Sequence, residues 1–306
     1  MWRKILNRFI ATIIVLIGVS VIAFALVRLG GGDPAALVLP DTATEEQIEE
    51  QRVKMGLDKP LVVQYVTYIS NVLHGDLGYS YHYNMNVSKL IAYRLPNTAR
   101  LALFSLIISL LWSVPLGLIA GIKKGTPIDS FAMLFAIVGQ SMSTVWLSLM
   151  LILIFGVKLK WLPTQGYESF KNIIMPGICQ GFAFSANVTR MLRSGMIDVL
   201  QEDHITATRA RGIGKFKVYT KYALKNALVP VITIIGSQFG FLMAGSILIE
   251  SVFGWPGVGE LMMTAISSRD YQLVQSILLI SAFIFVICNL LADIAYTLID
   301  KRIEFN

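Results

Sequence analysis

Uncharged apolar stretches alternate with polar ones six times along the chain, at 9–27, 101–122, 131–157, 173–189, 227–249 and 272–292. About 20 helical residues cross a hydrocarbon layer about 30 Å thick, so each stretch predicts a transmembrane helix. Barrel strands are shorter, about ten residues, and alternate in polarity, which excludes a β-barrel. The fourth stretch is the weakest, being short and carrying Pro176, Gln180 and Asn187. Without it, however, the basic segment that follows would be stranded outside. The first stretch reads as an uncleaved anchor, because its apolar run exceeds the roughly 7 to 15 residues of a signal peptide. The predicted fold class is an all-α integral membrane protein with six transmembrane helices and a small extracytoplasmic insertion.

Composition and charge fix the orientation. Only 15% of residues are charged, against roughly a quarter in soluble domains, which argues against a soluble enzyme. With the N-terminus inside, the segments 1–8, 123–130, 190–226 and 299–306 hold fifteen Lys and Arg, and the longer outer segments hold nine. Basic residues favour the cytoplasmic side, so both termini are expected there. The outer loop 158–171 dissents, with Lys158, Lys160 and Lys171 against Glu168. The net charge of +7 therefore reflects topology and contact with membrane lipid, and no soluble basic domain supports a nucleic-acid partner. Cys179 and Cys288 both fall in apolar runs and read as inert buried thiols. Three domains follow: 1–28, the inner N-terminus and first helix; 29–97, an extracytoplasmic segment; and 98–306, the membrane core, with a cytoplasmic loop at about 198–226.

The outer segment is acidic, with Asp33, Asp41, Glu45, Glu46, Glu49, Glu50, Asp58 and Asp76 against five basic residues. Thr44-x-x-Gln47 has the form of a capping box and Gly56 supplies a stop, predicting a helix over 44–55. After Pro60, the residues Val63, Val66, Ile69, Val72 and Leu73 recur at helical spacing, and HGDLGYSYHYN reads as turn and loop. A cap on the bundle and a docking surface for an outer partner are both compatible with this. The inner loop predicts one helix over 198–211, with Glu202 and Asp203 early, Ile205, Ala207, Thr208 and Ala210 following, and Gly212 ending it. A second helix runs from Lys215 toward Pro230, with Phe216, Tyr219, Tyr222 and Ala223 on one face. The small residues Ala207 and Ala210 let another surface approach closely.

No catalytic constellation is present. His74, His82 and His204 lie outside the apolar stretches, and neither H-E-x-x-H, G-x-S-x-G nor C-x-x-C occurs. Gly212-Ile213-Gly214-Lys215 is not a phosphate loop, which would need Gly at Arg209 and Ser or Thr at Phe216. Of the ionisable groups only Asp293 sits at membrane depth, one turn after Asn289, and it reads as a structural hydrogen-bond partner rather than a proton carrier. Gln140, Ser141, Ser143, Asn187 and Gln238 are candidates for lining a polar path, although each could equally satisfy a neighbouring helix. The energy for transport must then come from elsewhere.

The stretch EDHITATRARGIGKFKVYTKYALKNALVPVIT at 202–233 resembles the EAA loop of binding-protein-dependent ABC importer permeases. More narrowly, the chain is similar to the dipeptide/oligopeptide/nickel permease family, in the subunit with the long first outer loop. The marks are Gly32-Asp33-Pro34, LDKPLVVQY at 57–65, GDLGYS at 75–80, RLPNTARLAL at 94–103, the EAA stretch, and VFGWPGVGEL at 252–261. The resemblance implies a type I, MetI-like permease fold in the bacterial cytoplasmic (inner) membrane. It implies a homologous second permease as heterodimer partner, two cytoplasmic ATP-binding subunits that hold ATP and Mg, and an external substrate-binding protein. It implies no cofactor, metal or catalytic residue on this chain. Thr206, Ala207 and Thr208 occupy the E-A-A positions and Gly212 the glycine, so Glu202, Asp203, Thr206, Ala207, Thr208, Arg209, Ala210, Arg211 and Gly212 form the implied ATPase-docking stretch. Two departures stand out: Thr206 replaces Glu, and the I-x-L-P pattern reads Tyr222-Ala223-Leu224-Lys225, with proline only at Pro230. Short peptides lead as the implied cargo. Glutathione and nickel or metal chelates stay open, His74 and His82 favouring the last, and an ion-coupled secondary transporter is the distant alternative.

Overall fold

The computed structural model describes residues 2–29, 35, 36, 39 and 43–299. The Gly32-Asp33-Pro34 mark, the tail 300–306 and the side chains of Arg3, Lys4 and Arg8 lie outside the described residues. The first apolar stretch forms α1 (Trp2–Leu29). In the outer segment the capping box closes as predicted: Gln47 N donates to Thr44 Oγ1 at 3.4 Å and Thr44 N to Gln47 Oε1 at 3.0 Å. It starts α2 (Glu45–Lys54), and Gly56 at φ +67° turns the chain away. Helix α3 (Leu61–Leu73) follows Pro60. The predicted loop carries a minimal hairpin, β1 (Tyr79–Ser80) antiparallel to β2 (Met85–Asn86). Helix α4 (Val87–Ile122) then runs through residues 97 and 98 without a break, carrying Pro96 and Pro115 inside it.

Three predicted helices differ in the structure. The 131–157 stretch is divided into α5 (Pro127–Ser141) and α6 (Thr144–Lys158), bent by 99°. Ser143, extended at φ −61° and ψ 126°, stands immediately before the second piece without a side-chain capping bond. The stretch carries no charge through this corner, but the run Gly139-Gln140-Ser141-Met142-Ser143-Thr144 interrupts its apolar pattern there, a polar signal that the reading of 131–157 as one helix passed over. The helix predicted over 198–211 is also two, because α7 (Phe170–Leu200) extends well past the predicted fourth span and absorbs Asp198. Glu202 is extended at φ −72° and ψ 148° and starts α8 (Asp203–Ala210). Glu202 and Asp203 thus sit at a helix N-terminus, where the dipole favours acids, and not inside a helix. Finally, α9 (Lys215–Ala227) bends by 55° into α10 (Val229–Met243), which stops short of the predicted end at 249. Gly245, at φ +95°, lies so close to the backbone of Gly259 that a side chain has no room. The chain continues as α11 (Ile247–Val252), α12 (Val258–Ser267) and α13 (Tyr271–Ile299).

By length and apolarity α4 and α13 each suffice to cross a membrane, and each bent pair, taken as one span, is long and apolar enough for another pass. With α1 and the more polar α7 the set is consistent with six passes. Lipid offers no hydrophobic gain for helix association, so close contact of small residues holds the bundle together. Helices α4 and α7 run in the same direction with glycines at the crossing. Cβ positions built at Gly117 and Gly121 meet Leu192 and Met196, and one at Gly181 lies 2.7 Å from the Ser105 carbonyl oxygen. Ser105 Oγ also donates to Gln180 Oε1 at 2.9 Å. Helix α5 runs antiparallel to α7, with Asp129 near Arg193 at one end and Gly139 against Phe182 at the other. Helices α10 and α13 are antiparallel, with Gly236 against Ala292 and Gly240 against Cys288. Gly181→Ala presses on backbone that cannot move aside. It should cost about 1–3 kcal/mol and lower the thermal midpoint of the purified protein, while Gly18→Ala, which meets nothing within 4 Å, should leave the midpoint unchanged.

Candidate functional site

The basic loop at 198–226 is built on one apolar cluster. Ile205 of α8 is fully buried with Val188, Leu192, Met196 and Val199 of α7, Val218, Ala223 and Ala227 of α9, and Val231 of α10. Thr208 also faces inward, its Oγ1 donating to the His204 carbonyl at 2.7 Å. The opposite face carries the other residues of the docking stretch: Glu202, Asp203, Thr206, Ala207, Arg209, Ala210, Arg211 and Gly212 are all exposed. Thr208 thus parts from the set in which the sequence grouped it. Glu202 stands 2.9 Å from His204 Nδ1, and His204 Nε2 lies 3.2 Å from Asn226 Nδ2, tying α8 to α9. Gly212 takes φ +73° with open space around it, a left-handed C-terminal position that suits glycine. Tyr219, Tyr222 and Ala223 pack on the cluster as predicted, but Phe216 points away and is 81% exposed. Val218–Ala223 is π-helical, and the wider turn takes Phe216 out of phase with the residues after it. Behind the cluster, Arg193 of α7 makes a two-pronged ion pair with Asp129 of α5, at 2.5 Å from Nε and 2.7 Å from the terminal nitrogen. Gly125 N also donates to Asp129, at 2.9 Å.

The polar-path candidates separate into two groups. Gln140, Ser141 and Ser143 are exposed around the α5–α6 corner. Gln238 is buried and donates to the Phe184 carbonyl at 3.2 Å, with its Oε1 unpaired. Asn187 is half-buried and accepts from Arg190 at 3.3 Å. No hydrogen bond joins the two groups among the described residues. Asp293 is half-buried on α13.

The most densely bonded polar cluster is one that the sequence reading missed. Glu250 of α11 is 1% exposed. One carboxylate oxygen accepts from Gly259 N at 2.7 Å and Glu260 N at 3.1 Å, and the other from Thr98 Oγ1 at 3.1 Å. Thr98 Oγ1 in turn accepts from Val258 N at 2.8 Å. Alongside, Trp255 Nε1 donates to the Asn97 carbonyl, and Asn97 Nδ2 to that of Pro256, both at 3.0 Å. Arg94 pairs with Glu260 at 3.1 Å. The RLPNTARLAL and VFGWPGVGEL marks are therefore the two halves of one clasp. The GDLGYS mark binds the same end of the bundle: Ser80 donates to Asp270 at 2.5 Å, and Gln272 and Ser276 donate to the Leu77 carbonyl at 3.1 and 2.9 Å. The available signal for Glu250 was an acid directly after an apolar run and shortly before a Gly-Val-Gly sequence. Burial pushes its carboxyl up to about 7 despite these donors.

Known proteins agree with this architecture. The family described as the binding-protein-dependent transport system inner membrane component matches residues 113–305, and the N-terminal part of such membrane components matches residues 1–102. The chain belongs to this family of transport-system membrane proteins. It is 37% identical over 309 residues to a probable peptide ABC transporter permease protein of Sinorhizobium fredii, covering 98% of this chain and 99% of that one. It is 37% identical to the glutathione transport system permease protein GsiC of Escherichia coli, covering all of both chains. With the dipeptide transport system permease protein DppB of Alkalihalophilus pseudofirmus it shares 36% identity, covering 98% of each. Among solved structures, the inward-facing MetNI methionine ABC transporter superposes with a TM-score of 0.59 at 13% identity, covering 69% of this chain and 96% of that one. That likeness establishes the MetI-like fold.

Glu250 generates a pH dependence. Between its ordinary value of 4.5 and about 7 the folded chain holds a proton that the unfolded chain has released, so stability should fall as pH rises through that window and level off above it. Glu250→Gln should flatten this slope when thermal unfolding is followed from pH 4.5 to 8, and Glu250→Ala should lower the midpoint at every pH.

Proposed function

We propose that this chain is one of two homologous permease subunits of an ATP-driven importer of short peptides in the bacterial inner membrane, with both termini cytoplasmic. The observation that carries the reading is similarity along the whole chain to permeases named for peptides, dipeptides and glutathione. Glutathione is itself a tripeptide, so the three names share one cargo chemistry, and a glutathione importer is the specific second reading. In the proposal, two cytoplasmic ATPase subunits bind and hydrolyse ATP with Mg. They grip the exposed face of α8, while an external binding protein delivers cargo at the clasp end. The form of α8 supports this lever role. One side is anchored by Ile205 and Thr208, and the other presents Ala207 and Ala210, which leave room for a groove. Movement of α8 is passed through the shared cluster to α7, α9 and α10, which would rock about the glycine contacts and open the path alternately to each side. The exposed Gln140, Ser141 and Ser143 would then face that path from the corner of α5 and α6.

Reconstitution in proteoliposomes with the partner permease, ATPases and binding protein tests the proposal. ATP-dependent accumulation of labelled di- or tripeptide supports it, and accumulation by this chain alone, without companions, sinks it. Ala207→Asp or Gly212→Asp should lower ATP-driven uptake about tenfold or more at unchanged expression, and should weaken recovery of the ATPase subunits with the membrane subunits.

A further inference from the structure

Helix α3 is amphipathic the wrong way round for a water-soluble cap. Its polar residues Gln64, Thr67, Tyr68 and Asn71 share one face and, with Gln272 and Gln275 of α13, line a cleft of about 370 Å³. On the opposite face Val62, Val66, Ile69 and Leu73 form a stripe, and Val62, Val66 and Leu73 are 73%, 59% and 80% exposed. A surface helix in water turns its apolar stripe to the core and its polar face outward. This one turns its apolar stripe outward, lines the cleft with a polar face on which Gln64 and Tyr68 are half-buried and Thr67 and Asn71 exposed, and carries no charged residue in its thirteen. Its neighbour α2 contrasts with it in charge, having four glutamates.

The contacts of α3 place it beside the membrane-crossing helices rather than above them. Tyr65 Oη lies 2.7 Å from Ser20 Oγ of α1. The Phe24 ring is 5.3 Å from that of Tyr65 and 6.3 Å from that of Tyr68. Phe24 and Ser20 precede Arg28 by about 6 Å and about 12 Å of helix. At the other flank, Val72 packs on the cluster containing Leu273 and Ile277 of α13. The helix that α3 touches, α1, itself exposes Ile14, Ile17 and Val21, an apolar face that in a membrane component meets lipid.

We infer that α3 is immersed in the outer leaflet, its Val62, Val66, Ile69 and Leu73 stripe against lipid acyl chains and its polar face closing the cleft toward the protein. Amphipathic helices in this position sit about 5–10 Å into the boundary between headgroups and acyl chains, in agreement with the depth of Phe24. The side of the membrane rests on the topology proposed above, and the immersion itself does not. The outer segment therefore divides into an aqueous part around α2 and a lipid-bound part at α3.

The test uses the assembled transporter in bilayers, with Cys179→Ser and Cys288→Ala and single nitroxide-labelled cysteines from Val62→Cys, Val66→Cys and Glu49→Cys. At Val62 and Val66, collisions with oxygen should exceed those with a water-soluble nickel chelate several-fold, with the preference reversed at Glu49. A Glu49-like ratio at both positions would put α3 in water, and inaccessibility to both reagents would mean that protein covers the stripe; either overturns the inference. Should the labelled variants not assemble, the unsubstituted transporter is irradiated with a phospholipid bearing a diazirine on its acyl chain. Adducts on residues 61–73 and none on 45–54 support the inference, and adducts on α1 without any on α3 overturn it. Orientation is read separately, from protease access to the 190–226 loop, so a reversed topology is distinguishable from a helix that is not immersed.

Discussion

A carboxylate withdrawn from water must be paid for by donors, and Glu250 obtains three: two backbone N–H groups nine and ten residues on, and the Thr98 hydroxyl 152 residues away. Thr98 is the second half of the arrangement, because its hydroxyl both donates to Glu250 and accepts from Val258 N. Through these two side chains α4, about three turns in from Val87, grips the α11–α12 turn, and Trp255 and Asn97 repeat the grip with main-chain carbonyls. Gly257 leaves the space that the carboxylate and hydroxyl fill, since a Cβ there would land on both. This end of the bundle is thus fastened by directional bonds, which lipid cannot replace and an apolar core cannot supply.

Between the two ends, cohesion has a different origin. Glycines at 117, 121, 181, 236 and 240 bring helix backbones together, and the gain is dispersion and a few hydrogen bonds rather than exclusion of water. Such contacts tolerate sliding better than the clasp does. At the opposite end Ile205 and Val218 restore an ordinary apolar cluster, and the short α8 rides on it with its small residues outward. A rigid outer clasp, glycine-lined crossings and an anchored inner helix suit a protein proposed to be moved from the cytoplasmic side.

The outer segment shows how one stretch of sequence can serve two solvents. Acid-rich α2 and uncharged α3 are separated by a Gly56 turn and Pro60, so local chemistry alone distinguishes them. Which side of α3 meets the protein is a different matter. Its apolar positions were readable from spacing, but the pairing of Tyr65 with Ser20 reversed the face that spacing would assign to a core.

From the sequence by itself came the six apolar stretches, the capping box at Thr44 and Gln47, the glycine stop at Gly212 and the small-residue face of α8, because each depends on residues within a turn or two of one another. The marks at 94–103 and 252–261 were visible as strings, while their joint role at Glu250 was not, since a hydrogen bond between residues 152 positions apart leaves no periodic trace. The 99° corner at Ser141 to Thr144, the break at Glu202 and the inward turn of Thr208 were likewise decided by tertiary contacts. The polar run from Gln140 to Thr144 marks a place where a helix can break, but composition sets no angle, and packing against the neighbouring helices does.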